Sequence, residues 1–237
     1  MKSQIFLNHE AMSQAATRWL TGHIRSHPAS LLCLATGGTP ARTYELLAGR
    51  GQARPGDFRR VRVLKLDEWG GLEAGDPATS EAHLQRQIVQ PLRLERRYQG
   101  FRSRPKDPAA ECARIGRWLQ EHGPIDLCVL GLGINGHLAF NEPAQVLRPH
   151  AHVARLSSSS LGHAMVKESR RRPRFGLTLG MADLLHARRI LLLVSGPTKR
   201  RALARLLKPE ISPLFPSSFL WLHPQVTLFC DRAAMAA

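Results

Sequence analysis

Five short apolar runs constrain this chain more than any other feature: LLCLA (31–35), VRVLKL (61–66), DLCVL (126–130), ILLLVS (190–195) and VTLFC (226–230). Each has the length of a strand and too little polar alternation to face water on one side, which predicts buried strands. Helical spacing recurs between them. Ala15, Trp19, Leu20 and Ile24 mark a helix over 11–27 that stops at Pro28, and another runs from Pro40 through Leu47. Further helices are expected over 79–89, from Asp107-Pro108 onward, over 179–186, after 196–199 and over 217–222. Strands alternating with helices imply an α/β fold, a doubly wound, mostly parallel sheet with helices on both faces. At 237 residues the expectation is a single domain spanning 1–237.

In such a sheet ligands bind outside the carboxyl ends of the strands, so the loops following the runs carry the chemistry. The loop after DLCVL reads GLGINGHLAFNEP (131–143). Gly131 and Gly133 allow a sharp turn close to a ligand, and Asn135, His137 and Glu142 crowd an amide, an imidazole and a carboxylate into eight positions. Read alone, this is either a site or a glycine-rich turn with incidental polar residues. The loop after LLCLA is Thr36-Gly37-Gly38-Thr39-Pro40. Strand, glycine turn and helix start form an anion cradle of free backbone N–H groups, although neither GK[ST] nor GxGxxG is present. VRVLKL ends on Asp67-Glu68-Trp69. Carboxylates at the tip of a buried strand must be paired or put to work, the alternative being a helix cap with a solvated neighbour. Lys199 lies in the first turn after ILLLVS, where a lysine opposes the helix dipole; it either meets an anion or is solvated. Residues 146–173 have little apolar periodicity, four serines in a row and a basic cluster, and read as a lid over the site or an irregular surface segment. Three loops at one sheet edge thus offer an anion site, a carboxylate pair and a His/Glu pair, suited to proton transfer on a small phosphorylated molecule.

Composition narrows the class. Cys33, Cys112, Cys128 and Cys230 lack CxxC spacing and read as buried free thiols, and no apolar segment is long enough to span a membrane. A cytoplasmic location is expected. The net charge of +16 comes mostly from scattered arginines, without the zinc-finger or aromatic signatures of nucleic-acid binding. No metal set is recognisable, because His137 and Glu142 lack a companion ligand at familiar spacing.

ATGGTP (35–40), LDEW (66–69), GLGINGHLAFNEP, LLLVSGPTK (191–199) and SSFLWLHP (217–224) together resemble the glucosamine-6-phosphate deaminase / 6-phosphogluconolactonase family over nearly the whole chain. CLATGGTPARTY, VLKLDEW, QIVQPL, DLCVLGLG and FPSSFLWLHPQVTLFCD are most similar to its galactosamine-6-phosphate isomerase (deaminating) branch. The resemblance implies a Rossmann-like fold and aldose–ketose isomerisation of an amino sugar phosphate with loss of ammonia, without a cofactor. It puts Asp67 in the position of the C2 proton base and His137 in that of the ring-opening acid/base. Glu142 matches the carboxylate that orients that histidine, and Asn135 stands where some members have aspartate. Asn135 is expected to hold the imidazole by a hydrogen bond. Gly38, Thr39 and Lys199 match the phosphate site, which Thr36 and Gly37 adjoin. The lid arginine of the family has Lys167 as its nearest counterpart, followed by Arg170 to Arg172. The expected partner is a small-molecule amino sugar phosphate, with neither nucleic acid nor membrane; a homo-oligomer is left open. A lactonase or a sugar-phosphate sensor would share the architecture.

Overall fold

The computed structural model describes residues 1–235. In chain order its elements are β1 (Lys2–Phe6), α1 (His9–Ser26), β2 (Leu31–Leu34), α2 (Gly38–Ala53), β3 (Arg62–Lys65), β4 (Asp67–Gly70), α3 (Ser80–Leu84), β5 (Tyr98–Gln99), α4 (Pro108–His122), β6 (Leu127–Gly131), β7 (His152–Ala154), α5 (Ser158–Leu161), β8 (Phe175–Thr178), α6 (Met181–Leu185), β9 (Ile190–Val194), α7 (Arg200–Leu206) and β10 (Val226–Asp231). Seven strands form one sheet in the order β1-β10-β9-β6-β2-β3-β5, and every pairing in it is parallel. Successive side chains of a strand point to opposite faces, and here both faces are covered. Leu31, Cys33, Cys128, Leu130, Leu192 and Leu228 pack with Ile115, Leu184, Leu203 and Leu206 of α4, α6 and α7. Leu32, Leu34, Leu127, Val129, Leu191 and Leu193 pack with Met12, Leu20, Ile24 and Leu47 of α1 and α2. The doubly wound expectation holds, for the reason the apolar runs gave. All four cysteines are free and buried, and no helix among the described residues is long and apolar enough to cross a membrane.

Several elements depart from the sequence reading. Edge strand β1 has mostly exposed side chains, so no apolar run announces it. A second sheet, β4-β8-β7, is antiparallel. The chain leaves the large sheet at Leu66, whose carbonyl accepts from Leu179, and Asp67 opens β4 opposite Thr178. Asp67-Glu68-Trp69 is therefore strand, not a loop tip. The helix expected over 79–89 is one turn of α-helix followed by a π-helical turn, Gln85–Val89. That over 217–222 is a 3-10 helix, Pro216–Leu222. The segment 146–173 is not structureless. It holds β7, α5 and a 3-10 turn, Ala164–Glu168, and buries Met165 and Val166 in a small core with Trp69, Leu72 and Phe140.

Candidate active site

Between β2 and β6 the order of the sheet reverses, which opens a crevice at the carboxyl ends of its strands. A cavity of about 890 Å³ lies there. Its walls come from Ala35–Ala41 after β2, Asp67 after β3, Gly131–Ile134 and His137 after β6, Ser195 and Lys199 after β9, and Ser159, Ser160, His163, Met165 and Glu168 from the segment between β7 and β8. The volume is that of a small-molecule pocket.

Asp67 and Glu68 face opposite ways because they are neighbours in a strand. Glu68 is fully buried and saturated: it accepts from Lys65 Nζ at 2.7 Å and from the backbone N–H groups of Trp69, Ser80 and Glu81 at 2.7, 2.8 and 2.9 Å. Two of those N–H groups open α3, so Glu68 serves as a helix cap and an ion-pair partner, and no part of it is left for a ligand. Lys65 is itself fully buried and also bonds Glu81 at 2.5 Å. Asp67 lines the cavity instead, with Ser80 Oγ at 3.5 Å and Thr36 Oγ1 3.0 Å beyond that hydroxyl. Burial, then the charge of Glu68, pushes its pKa up to about 7 against the pull of Lys65 and Ser80. A carboxylate poised near neutrality is suited to take a proton and give it back.

The second group is built inside one loop. Gly133 is required by packing: a Cβ there would stand 2.5 Å from the His137 ring. Gly136, at φ +87°, takes without cost a conformation that L side chains rarely adopt, whereas Ala139, at φ 52° on the cavity wall, holds backbone strain. His137 Nδ1 lies 3.3 Å from Glu142 Oε2, within ion-pair reach, but its N–H is not aligned as a hydrogen bond and finds no other acceptor. Glu142 is held from every side. Asn135 Nδ2 donates to Oε2 at 2.9 Å, Ser157 Oγ to Oε1 at 2.9 Å, and Ser160 Oγ also bonds Oε1. Burial would raise this carboxyl, yet the close approach and charge of His137, with the bonds from Ser160 and Asn135, bring it down to about 2. Asn135 departs from expectation: its amide donates to Glu142 and its Oδ1 accepts from the His137 backbone N–H at 3.2 Å, so it does not bond the imidazole. With Nδ1 turned to the carboxylate, Nε2 is the ring nitrogen left for a ligand.

Thr36, Gly37, Gly38 and Thr39 line the far wall, with Gly37 at φ +114° turning the chain into α2. Lys199 joins them, half-buried, and burial lowers its pKa with no carboxylate paired to it among the described residues. Lys167 does not reach the cavity. It is exposed on the 3-10 turn whose other face buries Met165 and Val166. Arg170 to Arg172 are exposed as well, and Arg171 pairs with Glu73. Among the described residues no set of His, Cys, Asp and Glu is grouped to hold a metal ion.

Residues 8–228 match the model of the glucosamine-6-phosphate isomerases/6-phosphogluconolactonase family. The chain belongs to this family. "Putative deaminase AgaI" of Escherichia coli K12 is 43% identical over 217 residues, 91% of this chain and 86% of that protein. A glucosamine-6-phosphate deaminase of Rhodopirellula baltica is 36% identical across 98% of this chain and 93% of its own length. The solved structure of a monomeric glucosamine-6-phosphate deaminase, described as a missing link of the NagB superfamily, superposes with a TM-score of 0.93 at 34% identity, covering 99% of this chain and 98% of that one. A 6-phosphogluconolactonase from Leishmania guyanensis, at a TM-score of 0.80 and 18% identity over 98% and 97% of the two chains, shares the fold.

Within this family fold, sequence reasoning missed four contributors to the site. Ser157 and Ser160 hold Glu142 from 15 and 18 residues away, and Ser80 reaches Asp67 from 13. No local spacing signals such pairs. His163, also on the cavity wall, carries no motif at all.

Proposed function

We propose that the chain catalyses aldose–ketose isomerisation of a 2-amino-2-deoxyhexose 6-phosphate with release of ammonia. The observation that carries this reading is the pair of proton-transfer groups of opposite character on one cavity: Asp67, pushed up to about 7, and the His137–Glu142 couple, whose carboxylate stays ionised. The substrate is mostly a closed ring, so His137 moves a proton between the anomeric hydroxyl and the ring oxygen. Glu142 balances the imidazolium that forms on the way. The open aldehyde acidifies the C2 proton, which Asp67 removes, giving a 1,2-enolamine. Return of the proton to C1 yields a ketimine; water adds at C2 and ammonia leaves, so that hexosamine phosphate plus water becomes ketose phosphate plus ammonia. The cradle of Thr36 to Thr39, with Lys199, takes the phosphate.

Branch resemblance in the five blocks favours galactosamine 6-phosphate, giving tagatose 6-phosphate. Glucosamine 6-phosphate is the second reading, favoured by the relatives at 36% and 34% identity that are described as acting on it. The epimers differ in one hydroxyl, and a site built to bond it in one orientation leaves a polar group unpaired in the other. Ammonia release from both, compared as kcat/KM, decides: a preference for the galacto substrate is expected, a clear gluco preference removes the finer reading, and no ammonia from either removes the coarser one.

Lys199→Met should raise KM for the hexosamine phosphate and leave kcat within a few fold, because phosphate is held alike in the ground and transition states. Loss of a hydrogen bond to a charged group corresponds to about 10- to 100-fold in affinity. An unchanged KM would return Lys199 to the class of surface lysines.

A further inference from the structure

The cradle after β2 has a neighbour that no motif marks. His163 caps the 3-10 turn of the lid segment, its Nδ1 accepting the Met165 N–H at 3.3 Å. A ring nitrogen that accepts has no proton, so in the neutral imidazole the proton sits on Nε2. That edge of the ring leans over the phosphate cradle: a Cβ on Gly37 would stand 3.5 Å from both Cε1 and Nε2. The Trp69 ring, with its centroid 6.0 Å away, backs the imidazole. Among the described residues no protein acceptor takes the Nε2 proton, and the ring lines the cavity. We propose that His163 is the lid residue that binds the phosphate, donating from Nε2 beside Lys199.

The surroundings favour the neutral donor. His163 is exposed as a residue, but partial desolvation of its ring at the cavity wall lowers its pKa first, and Lys199, His137 and His83 act in the same direction, with Glu168 opposing. A cation here would have to share the cavity with Lys199 and would lose the Met165 bond. A neutral N–H gives direction without charge, while Lys199 supplies the charge. The basic side chains that could compete lie elsewhere, since Lys167 and Arg170 to Arg172 are not among the residues that line the cavity. The inference takes from the proposed function only the identity of the ligand; the phosphate itself can be tested separately.

Two substitutions separate binding from architecture. Asn at 163 places an oxygen near the position of Nδ1 and keeps the Met165 cap, but it is too short to reach the cradle. Gln places an amide N–H near the position of Nε2 and gives up the cap. His163→Asn should therefore raise KM for the sugar phosphate about 10-fold or more, with kcat little changed, and weaken inorganic phosphate binding by a similar factor. His163→Gln should keep both within about 3-fold, a small part of that bond. A purely structural histidine gives the reverse order, Asn tolerated and Gln impaired, and that order overturns the proposal. So does calorimetric binding of inorganic phosphate that is equal in wild type and His163→Asn, or no phosphate binding by wild type. Wild type that binds phosphate in a His163-dependent way but releases no ammonia supports the proposal and removes the deaminase reading instead.

Discussion

Asp67→Asn should abolish ammonia release and, to the same extent, solvent deuterium exchange at C2 of the substrate. A positioned general base contributes about 10² to 10⁴ in rate, and the amide cannot accept the proton. The wild-type kcat/KM should rise with pH along a limb centred near 7, the value to which burial and then Glu68 push the carboxyl. The limb has this sign because only the ionised form is a base. The substitution should also stabilise the fold. The folded chain keeps the Asp67 proton up to about 7, whereas the unfolded chain loses it near the ordinary 3.8. Stability held by that proton is complete below 3.8 and is lost as pH rises through 7. Asp67→Asn should accordingly melt above wild type at pH 8, with the gap narrowing toward pH 4. Exchange at the wild-type rate in Asp67→Asn would remove Asp67 as the base. Glu68 is a poor replacement, because its four bonds to Lys65, Trp69, Ser80 and Glu81 occupy it inside the protein.

The second large effect belongs to His137. Under the proposed mechanism, in which the imidazole serves ring opening alone, His137→Gln should slow the cyclic substrate by about 10² to 10⁴, yet lose far less on an analogue that cannot close a ring. Glu142→Gln should follow the same split. Neutralising Glu142 removes the anion that balances the imidazolium, while the amide oxygen can still accept from Asn135 and the hydroxyls of Ser157 and Ser160 can turn to accept from the new NH2, keeping the side chain in place. Running both substrates with each variant, in deuterated water, checks this. Equal impairment on cyclic and non-cyclising substrates would assign the histidine another task, such as activating water as a lactonase does.

The two effects rest on residues that were legible for different reasons. His137 and Glu142 stand five positions apart in one loop, and the glycines that let the chain turn there are visible in the same stretch, so the couple is legible in the sequence. What holds Glu142 is not. Ser157 and Ser160 come from a segment without periodicity, and Asn135 bonds Glu142 and not the imidazole, because an amide two residues from a histidine can bond several partners and only packing selects one. The pair Asp67-Glu68 was visible as a problem of buried charge. Which of the two works and which caps depends on β4 pairing with β8, residues more than a hundred positions apart. Lys167 is the nearest counterpart of the family's lid arginine along the chain, but it is exposed on its 3-10 turn and does not line the cavity.

By itself the sequence determined the parallel sheet, its two covered faces and the edge at which chemistry gathers, because strand burial is written as runs of apolar residues and turns as glycines at their ends. It did not determine β1, whose exposed edge residues carry no such signal, or the small antiparallel sheet that turns Asp67 toward the cavity and Glu68 away. Tertiary structure alone decided the pKa of Asp67, the grip on Glu142 and the approach of His163 to Gly37. Each of these depends on distance in space between groups far apart along the chain. Desolvation and charge act over a few ångströms, and residue spacing encodes such distances only within a single turn or strand.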